Sequence, residues 1–293
     1  MLARNLENLG LSKSLNKAFK MAKGEHIARQ DADDVSLPKR LATQVAFLEK
    51  ESSIVLLGTA IEWIDQSAAP TGQIACHPST DAAIRWRMLL HNSFYHSSVM
   101  VRRSALANSE LWYDSEMQYA QDYDLWSRLL VHGQGGNLAL PLVQLRSHKD
   151  QITRVASQPQ HAIADEIALA NFGRAGLASR FSREEITLLR RIGHQGTSVE
   201  GEALVTQLRS LLKLLRYTGN GDGSANPERE AVKKEKFRQL RFDLTHPPRD
   251  LAMFRAQLLM VKADPFGVTA DIARSVPLLA RSALGRWRDS GNI

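Results

Sequence analysis

A chain of 293 residues, 43% hydrophobic and 24% charged, has the make-up of an ordinary globular protein and the length for one large domain or two smaller ones. A lone cysteine, Cys76, excludes a disulfide framework, and the polar stretch from Met1 to Lys20 has no signal-peptide core. No run approaches the roughly 18 apolar residues of a membrane span, so the chain reads as cytosolic or as lying on the cytosolic side of a membrane. The net charge of +7 is uneven: residues 1–150 hold 16 basic and 16 acidic side chains, and the whole excess follows Asp150. A basic second half suits an anionic partner such as a membrane leaflet or nucleic acid, and equally a solubilising surface.

In chain order, Ser12 is placed to cap a helix carrying Leu15, Ala18, Phe19 and Ala22 on one face, closed by Gly24. His26 to Arg29 reads as a short strand entering the acidic run Asp31-Ala32-Asp33-Asp34. Pro38 suits the first turn of a helix with Leu41, Val45 and Leu48 at helical spacing. Ile54 to Ile64 reads as a buried strand, Asp81 to Leu90 as a helix, Ser98 to Arg102 as a strand, Asp122 to Val131 as a helix and Asn137 to Leu145 as a strand. Strand and helix in alternation imply an α/β layered domain. Helices alone follow, over His161–Leu177, Arg183–Ile192 and Glu200–Tyr217, then the linker TGNGDGSANP and three basic helical segments to Trp287. The organisation expected is a domain over 1–152, a helical extension over 153–217, a linker over 218–227 and a basic helical region over 228–293.

Three carboxylates within four residues, at the C-terminal end of a strand, repel one another, and a hard divalent cation such as Mg²⁺ or Mn²⁺ relieves that repulsion. By itself the run reads equally as a solvated turn. Asp122 and Asp124 read alone as charges favouring a helix N-terminus. His148 alone reads as a surface histidine, and Trp63, Trp86 and Trp112 as core or lid residues.

Taken together, Asn8-Leu9-Gly10-Leu11-Ser12, Gly24 to Asp34, Leu37-Pro38-Lys39-Arg40-Leu41, His96 to Arg103 and Gln121-Asp122-Tyr123-Asp124-Leu125-Trp126 resemble the family 2 glycosyltransferases over about residues 5 to 150. These are inverting enzymes of the GT-A fold that build bacterial surface polysaccharides. The resemblance implies a GT-A-like (Rossmann-like) mixed sheet with flanking helices, N-terminally truncated, followed by a mostly α-helical C-terminal region. It implies that Asp31 and Asp33 hold a divalent metal, Mn²⁺ or Mg²⁺, on the diphosphate of a nucleotide-sugar donor, with Asp34 shaping the loop. It makes Asp122 the general base, with Gln121 replacing the usual glutamate. Arg146 and His148 resemble the family's Arg-x-His segment, in which His148 completes the metal site or contacts the diphosphate. His96 to Met100 resembles a His-Pro-Ser-Val-Met pattern, with Ser97 where proline is common; Arg102 or Arg103 reads either as a contact to donor phosphate or as plain strand-end surface charge.

Relative to that family, the strands that hold the nucleobase and ribose have no counterpart before Asn8. The expectation is a metal loop and base without that pocket, and a chain that transfers sugar poorly by itself. Two further readings stand beside the enzyme: a non-catalytic partner of a transferase, and a nucleic-acid binder, which the lack of aromatic interleaving in the basic tail disfavours. That tail, with Arg209, Lys213, Arg216 and Lys233-Lys234-Glu235-Lys236, suits a peripheral membrane contact near a glycan or lipid-linked acceptor. Its leucines equally suit packing on the catalytic domain.

Overall fold

The structure, a computed structural model, describes residues 3–108, 112–147, 157–192, 199, 201–215 and 227. The chain divides into two compact units, residues 1–176 with 226–229, and residues 177–225 with 230–293. The first unit is a six-stranded mixed sheet. Its strands are β1 (His26–Ala28), β2 (Val35–Ser36), β3 (Ile54–Ile64), β4 (Pro70–Ala75), β5 (Met100–Arg102) and β6 (Gln134–Arg146), in the order β1-β5-β3-β6-β2, with β4 on the far part of β3. Only β3 and β6 run parallel. β3 is central because it is apolar on both faces: Ile54 to Ile61 are all buried, as a strand covered on two sides requires.

Alternation along β5 divides the core. Val101 joins a large cluster with Val55, Leu56, Ile84, Phe94 and Trp126, whereas Met100 faces a smaller one with Leu48, Ile54 and Leu57. The large cluster takes side chains from α1 (Gly10–Met21), α3 (Asp81–Met88), α4 (Arg103–Asn108), α5 (Gln121–Leu129) and α6 (Ser157–Arg174). On α6, Asn171 donates to the Met88 carbonyl at 2.7 Å and to Ser127 Oγ at 3.0 Å, tying the helix to α3 and α5. The smaller cluster is closed by α2 (Arg40–Lys50) through Leu48.

Three expectations change in detail. Ser12 lies inside α1, buried, with Leu9 at the cap position and Asn8 Oδ1 receiving the Gly10 N–H at 2.9 Å. The inward face of α2 is Arg40, Gln44 and Leu48, while Leu41 is 54% exposed, because two long polar side chains rather than Leu41 fill the space beneath the sheet. β2, β4 and α4 are additional elements; β4 is exposed except at Ala75, Ile74 included, and has no alternating pattern to announce it.

In the second unit, α7 (Arg183–Arg191) starts at a capping box in which Ser182 Oγ accepts the Glu185 N–H and Glu185 Oε2 accepts the Ser182 N–H. α8 (Gly201–Leu215) packs on it, with Gln207 Nε2 donating to the Leu188 carbonyl at 2.7 Å and Lys213 pairing with Glu185 at 3.1 Å. Leu211 and Leu214 are buried, so they are not free to enter a lipid interface. Of the expected linker 218–227 only residue 227 is described, and the basic region 228–293 lies outside the described residues. Among those described, no helix is long and apolar enough to cross a membrane.

Candidate active site

The acidic loop leaves β1 with its carboxylates gathered: Asp31, Asp33 and Asp34 each offer an oxygen within 4.8 Å of the others. Two buried arginines shape it. The Arg29 side chain, 2% exposed, forms a fork–fork ion pair with Asp31, which is 41% exposed. Arg40 Nη2 donates to the carbonyls of Arg29 at 2.7 Å and Val99 at 3.2 Å. Its Nη1 reaches Ser36 Oγ at 2.8 Å and its Nε reaches Gln44 Oε1 at 3.0 Å. Gln44 in turn donates to the Leu57 and Ser98 carbonyls. Burial beside Arg29 pushes the Arg40 guanidinium down to about 10, so it stays charged at neutral pH. The result is a cationic bed beneath the acidic loop.

Ser97 closes the arrangement from the other side. Its hydroxyl accepts the Asp31 N–H and an Arg29 Nη1 proton, both at 3.0 Å, and donates to Asp31 Oδ2 at 3.1 Å. Proline, common at this place in the pattern quoted above, has no hydroxyl to do this. Arg146, at the end of β6, straps the loop from outside. Its N–H donates to Asp34 Oδ1, its Nε to the Asp33 carbonyl, and its Nη1 to the Asp65 and Gln66 carbonyls, all between 2.9 and 3.0 Å. Burial raises Asp34 above the usual carboxylate range, and the Asp33 and Asp31 charges add to the rise.

Asp122 enters from α5. The residue before that helix turn, Ala120, holds φ of 53°, the left-handed region that side chains with a Cβ seldom adopt. Asn92 Nδ2 donates to Asp122 Oδ2 at 2.8 Å, and the Tyr123 N–H donates to Oδ1 at 2.9 Å. Burial raises the Asp122 pKa; the Tyr123 N–H and the Arg29 charge oppose the rise and the Asp31 charge adds to it. Asp122 and Asp31 are therefore close enough to sense each other, with Arg29 acting on both. His96 sits alongside, its Nε2 2.7 Å from the Tyr113 hydroxyl, kept neutral by burial and by Arg29.

Of the residues expected at a site, Asp31, Asp33, Asp34, Asp122, His96 and Arg146 are gathered here. Arg102 is not. β5 runs antiparallel to β1, so Arg102 pairs in register with His26, at the start of the strand whose far end leads to Asp31. Its guanidinium donates to the Leu48 carbonyl at 2.8 Å, and Arg103 donates to the Gly24 carbonyl at 2.7 Å. His148 lies outside the described residues. Sequence reasoning missed Arg29, Arg40, Gln44 and Asn92. The available signal was Arg40 and Gln44 four residues apart on the face of Leu48, a polar stripe where an apolar one was expected.

The donor set fits a hard divalent cation. It is oxygen-only, three carboxylates share one small volume, and Arg29 and Ser97 together leave Asp31 Oδ1 a further lone pair.

In sequence the chain is similar to known glycosyltransferases. An uncharacterized glycosyltransferase of Haemophilus influenzae is 30% identical over 174 residues, covering 57% of this chain and 54% of that protein. The amylovoran biosynthesis glycosyltransferase AmsE of Erwinia amylovora is 28% identical over 50% of this chain and 54% of its own. The UDP-Gal:alpha-D-GlcNAc-diphosphoundecaprenol beta-1,3-galactosyltransferase of Escherichia coli is 25% identical over 59% and 62%. The matched part thus spans about half the length of these relatives. Residues 2–109 match the model of glycosyl transferase family 2.

Proposed function

We propose that this protein transfers a sugar from a nucleotide-activated donor to a hydroxyl of a glycan or lipid-linked acceptor, with inversion at the anomeric carbon, in the building of a surface polysaccharide. The observation that supports this reading is the gathered Asp31, Asp33 and Asp34 loop, with Asp31 fixed by Arg29 and Ser97, together with Asp122, held by Asn92 and within electrostatic reach of Asp31 and Arg29. The printed names of the relatives point the same way, one to a UDP-sugar donor with a lipid diphosphate acceptor and one to amylovoran.

In this reading Asp31 and Asp33, with His148 completing the donor set, hold a divalent cation, Mn²⁺ or Mg²⁺. Such a cation supplies Lewis-acid neutralisation of the charge that builds on the leaving diphosphate. Arg29 and Ser97 fix Asp31 so that the lone pair left on Oδ1 faces the donor, and Arg40 holds the loop backbone behind it. Asp122 accepts the acceptor hydroxyl proton as that oxygen bonds to the anomeric carbon and the bond from that carbon to the diphosphate oxygen breaks, releasing a nucleoside diphosphate. A carboxylate whose pKa burial has raised toward the working pH is a better base for this than an exposed one. Arg102 takes no part.

Release of nucleoside diphosphate from UDP-, GDP- and dTDP-sugars, measured with Mn²⁺ and a glycan or lipid-linked acceptor extract, tests the reading. One donor is expected to turn over, and Asp122→Asn to lower the rate by about 10²–10⁴-fold. A folded chain that binds donor and never turns it over would support the non-catalytic partner instead.

A further inference from the structure

A cavity of about 220 Å³ opens toward the start of β1, away from the acidic loop. It lies where the end of α1, β1 and α4 meet Trp112. Its floor is the outer edge of the large core cluster: Phe19 and Leu106 are 5% and 1% exposed, and Ile27 packs against the same cluster. Phe19 is fixed by stacking on Tyr113, with ring centroids 5.5 Å apart and planes 28° from parallel. Half-buried Trp112 forms a wall. The mouth is cationic. Lys20, exposed near the end of α1, holds its ammonium 5.5 Å from the centre of the Trp112 ring, and among the described residues it has no hydrogen bond or ion pair. Arg103, exposed at the start of α4, spends Nε on the Gly24 carbonyl at 2.7 Å, and its two Nη groups have no partner among the described residues. No carboxylate is among the lining residues, and Glu25, just before β1, pairs instead with Arg102 at 3.4 Å.

An apolar hollow with a flat indole wall takes a ring out of water and offers it a face to stack on. The volume exceeds the roughly 150 Å³ that holds a benzene, which suits one ring with a short arm or a fused pair of rings. The chemistry of the mouth sets what that arm carries. Contact with the Trp112 face leaves the ammonium's protons unspent, because a cation over a ring is held by the ring's quadrupole and not by a hydrogen bond. The Arg103 Nη groups likewise keep protons in a planar fork that matches an oxyanion. Two cations without a counter-charge draw an anion to the rim of an otherwise apolar space. We infer that this cavity is a binding site for a small aromatic acid, its ring against Trp112 over Phe19, Ile27 and Leu106 and its carboxylate or phosphate on Lys20 and Arg103. The site is separate from the Asp31 loop, and the inference does not depend on the transferase reading.

Fluorine NMR titration of the full chain, without metal, with a fluorinated indole acetate and its neutral amide is the test. The acid is expected to bind with affinity about tenfold above that of the amide, the discrimination a charge-assisted hydrogen bond gives. Competition by phenylacetate and by phenyl phosphate is expected to displace it, and the stronger competitor separates a carboxylate ligand from a phosphate. Lys20→Gln/Arg103→Gln is expected to erase the preference for the acid. Ala107→Leu, which fills the cavity from the exposed side of α4, is expected to weaken acid and amide alike. Thermal melts matching the parent show that both variants fold. Equal binding of acid and amide, binding of neither, displacement by neither competitor, a preference surviving the double variant, or full binding surviving Ala107→Leu overturns the inference. Displacement of the acid by UDP or GDP with Mn²⁺ also overturns it, since the probe would then occupy the acidic loop. Probe binding in a chain that binds no nucleoside diphosphate supports the inference and strikes only the transferase reading.

Discussion

Replacing Arg40 with methionine isolates the part of the fold that positions the acidic loop. The side chain is 1% exposed, and its donors reach the carbonyls of Arg29 and Val99, Gln44 Oε1, Ser36 Oγ and Gln30 Oε1. Methionine fills much of the same volume and donates nothing. The Val99 carbonyl keeps the Arg29 N–H at 3.0 Å, so two buried acceptors, the Arg29 carbonyl and Gln44 Oε1, lose their donor. At about 1–3 kcal/mol for each buried group left without a partner, the gross loss is about 2–6 kcal/mol. Removing a buried guanidinium that has no carboxylate on it returns part of this, leaving a net loss of about 2 kcal/mol. That corresponds to a fall in Tm of about 4–8 °C for a unit of this size. Arg40→Lys keeps the charge without the fork and should fall between. The measurement is urea denaturation paired with Mn²⁺ affinity, since the loop backbone is anchored through the Arg29 carbonyl. A variant within about 0.5 kcal/mol of the parent, with Mn²⁺ affinity unchanged, would refute the reasoning.

Other substitutions probe the same frame. Ser97→Ala removes the hydroxyl shared by Arg29 and Asp31 and should weaken Mn²⁺ binding by about tenfold, measured by titration, whereas Ser97→Thr should retain most of it. Asn92→Ala removes a donor that favours ionised Asp122; the base must be ionised to act, so the acidic limb of the pH–rate profile should move to higher pH, and a limb that stays or moves down would sink that assignment. In Gly58→Ala the new Cβ would lie 2.1 Å from Asn137 Oδ1 and 3.0 Å from Phe94 Cδ1, displacing the side chain that donates to the Pro78 and Ser93 carbonyls. A loss of about 2–3 kcal/mol is expected by denaturation, and a melt within a degree of the parent would contradict it.

What the sequence made legible follows from which signals are local. β3 announces itself because a strand buried on both faces is a nearly continuous apolar run. The acidic loop and Asp122 stand out because carboxylates crowd together or recur at a helix start. The hidden features depend on pairing and direction. β4 carries no pattern of its own and exists as a strand through its register with β3. Arg102 looked like a phosphate contact until the antiparallel course of β5 carried it to the other end of β1. Arg29 and Arg40 resemble surface charges in one dimension; only the sheet shows that their stems are buried and that backbone carbonyls and Asp31 receive their protons.

The central claim is that the Asp31 loop binds a nucleoside diphosphate through a divalent cation, facing Asp122. Calorimetric titration of the chain with UDP, GDP and dTDP, with and without Mn²⁺, tests it most directly, using Asp31→Asn/Asp33→Asn as the control. One nucleotide should bind only in the presence of Mn²⁺ and lose that binding in the double variant. A folded chain that binds none of them, or binds one equally well without metal or without the two aspartates, would contradict the account.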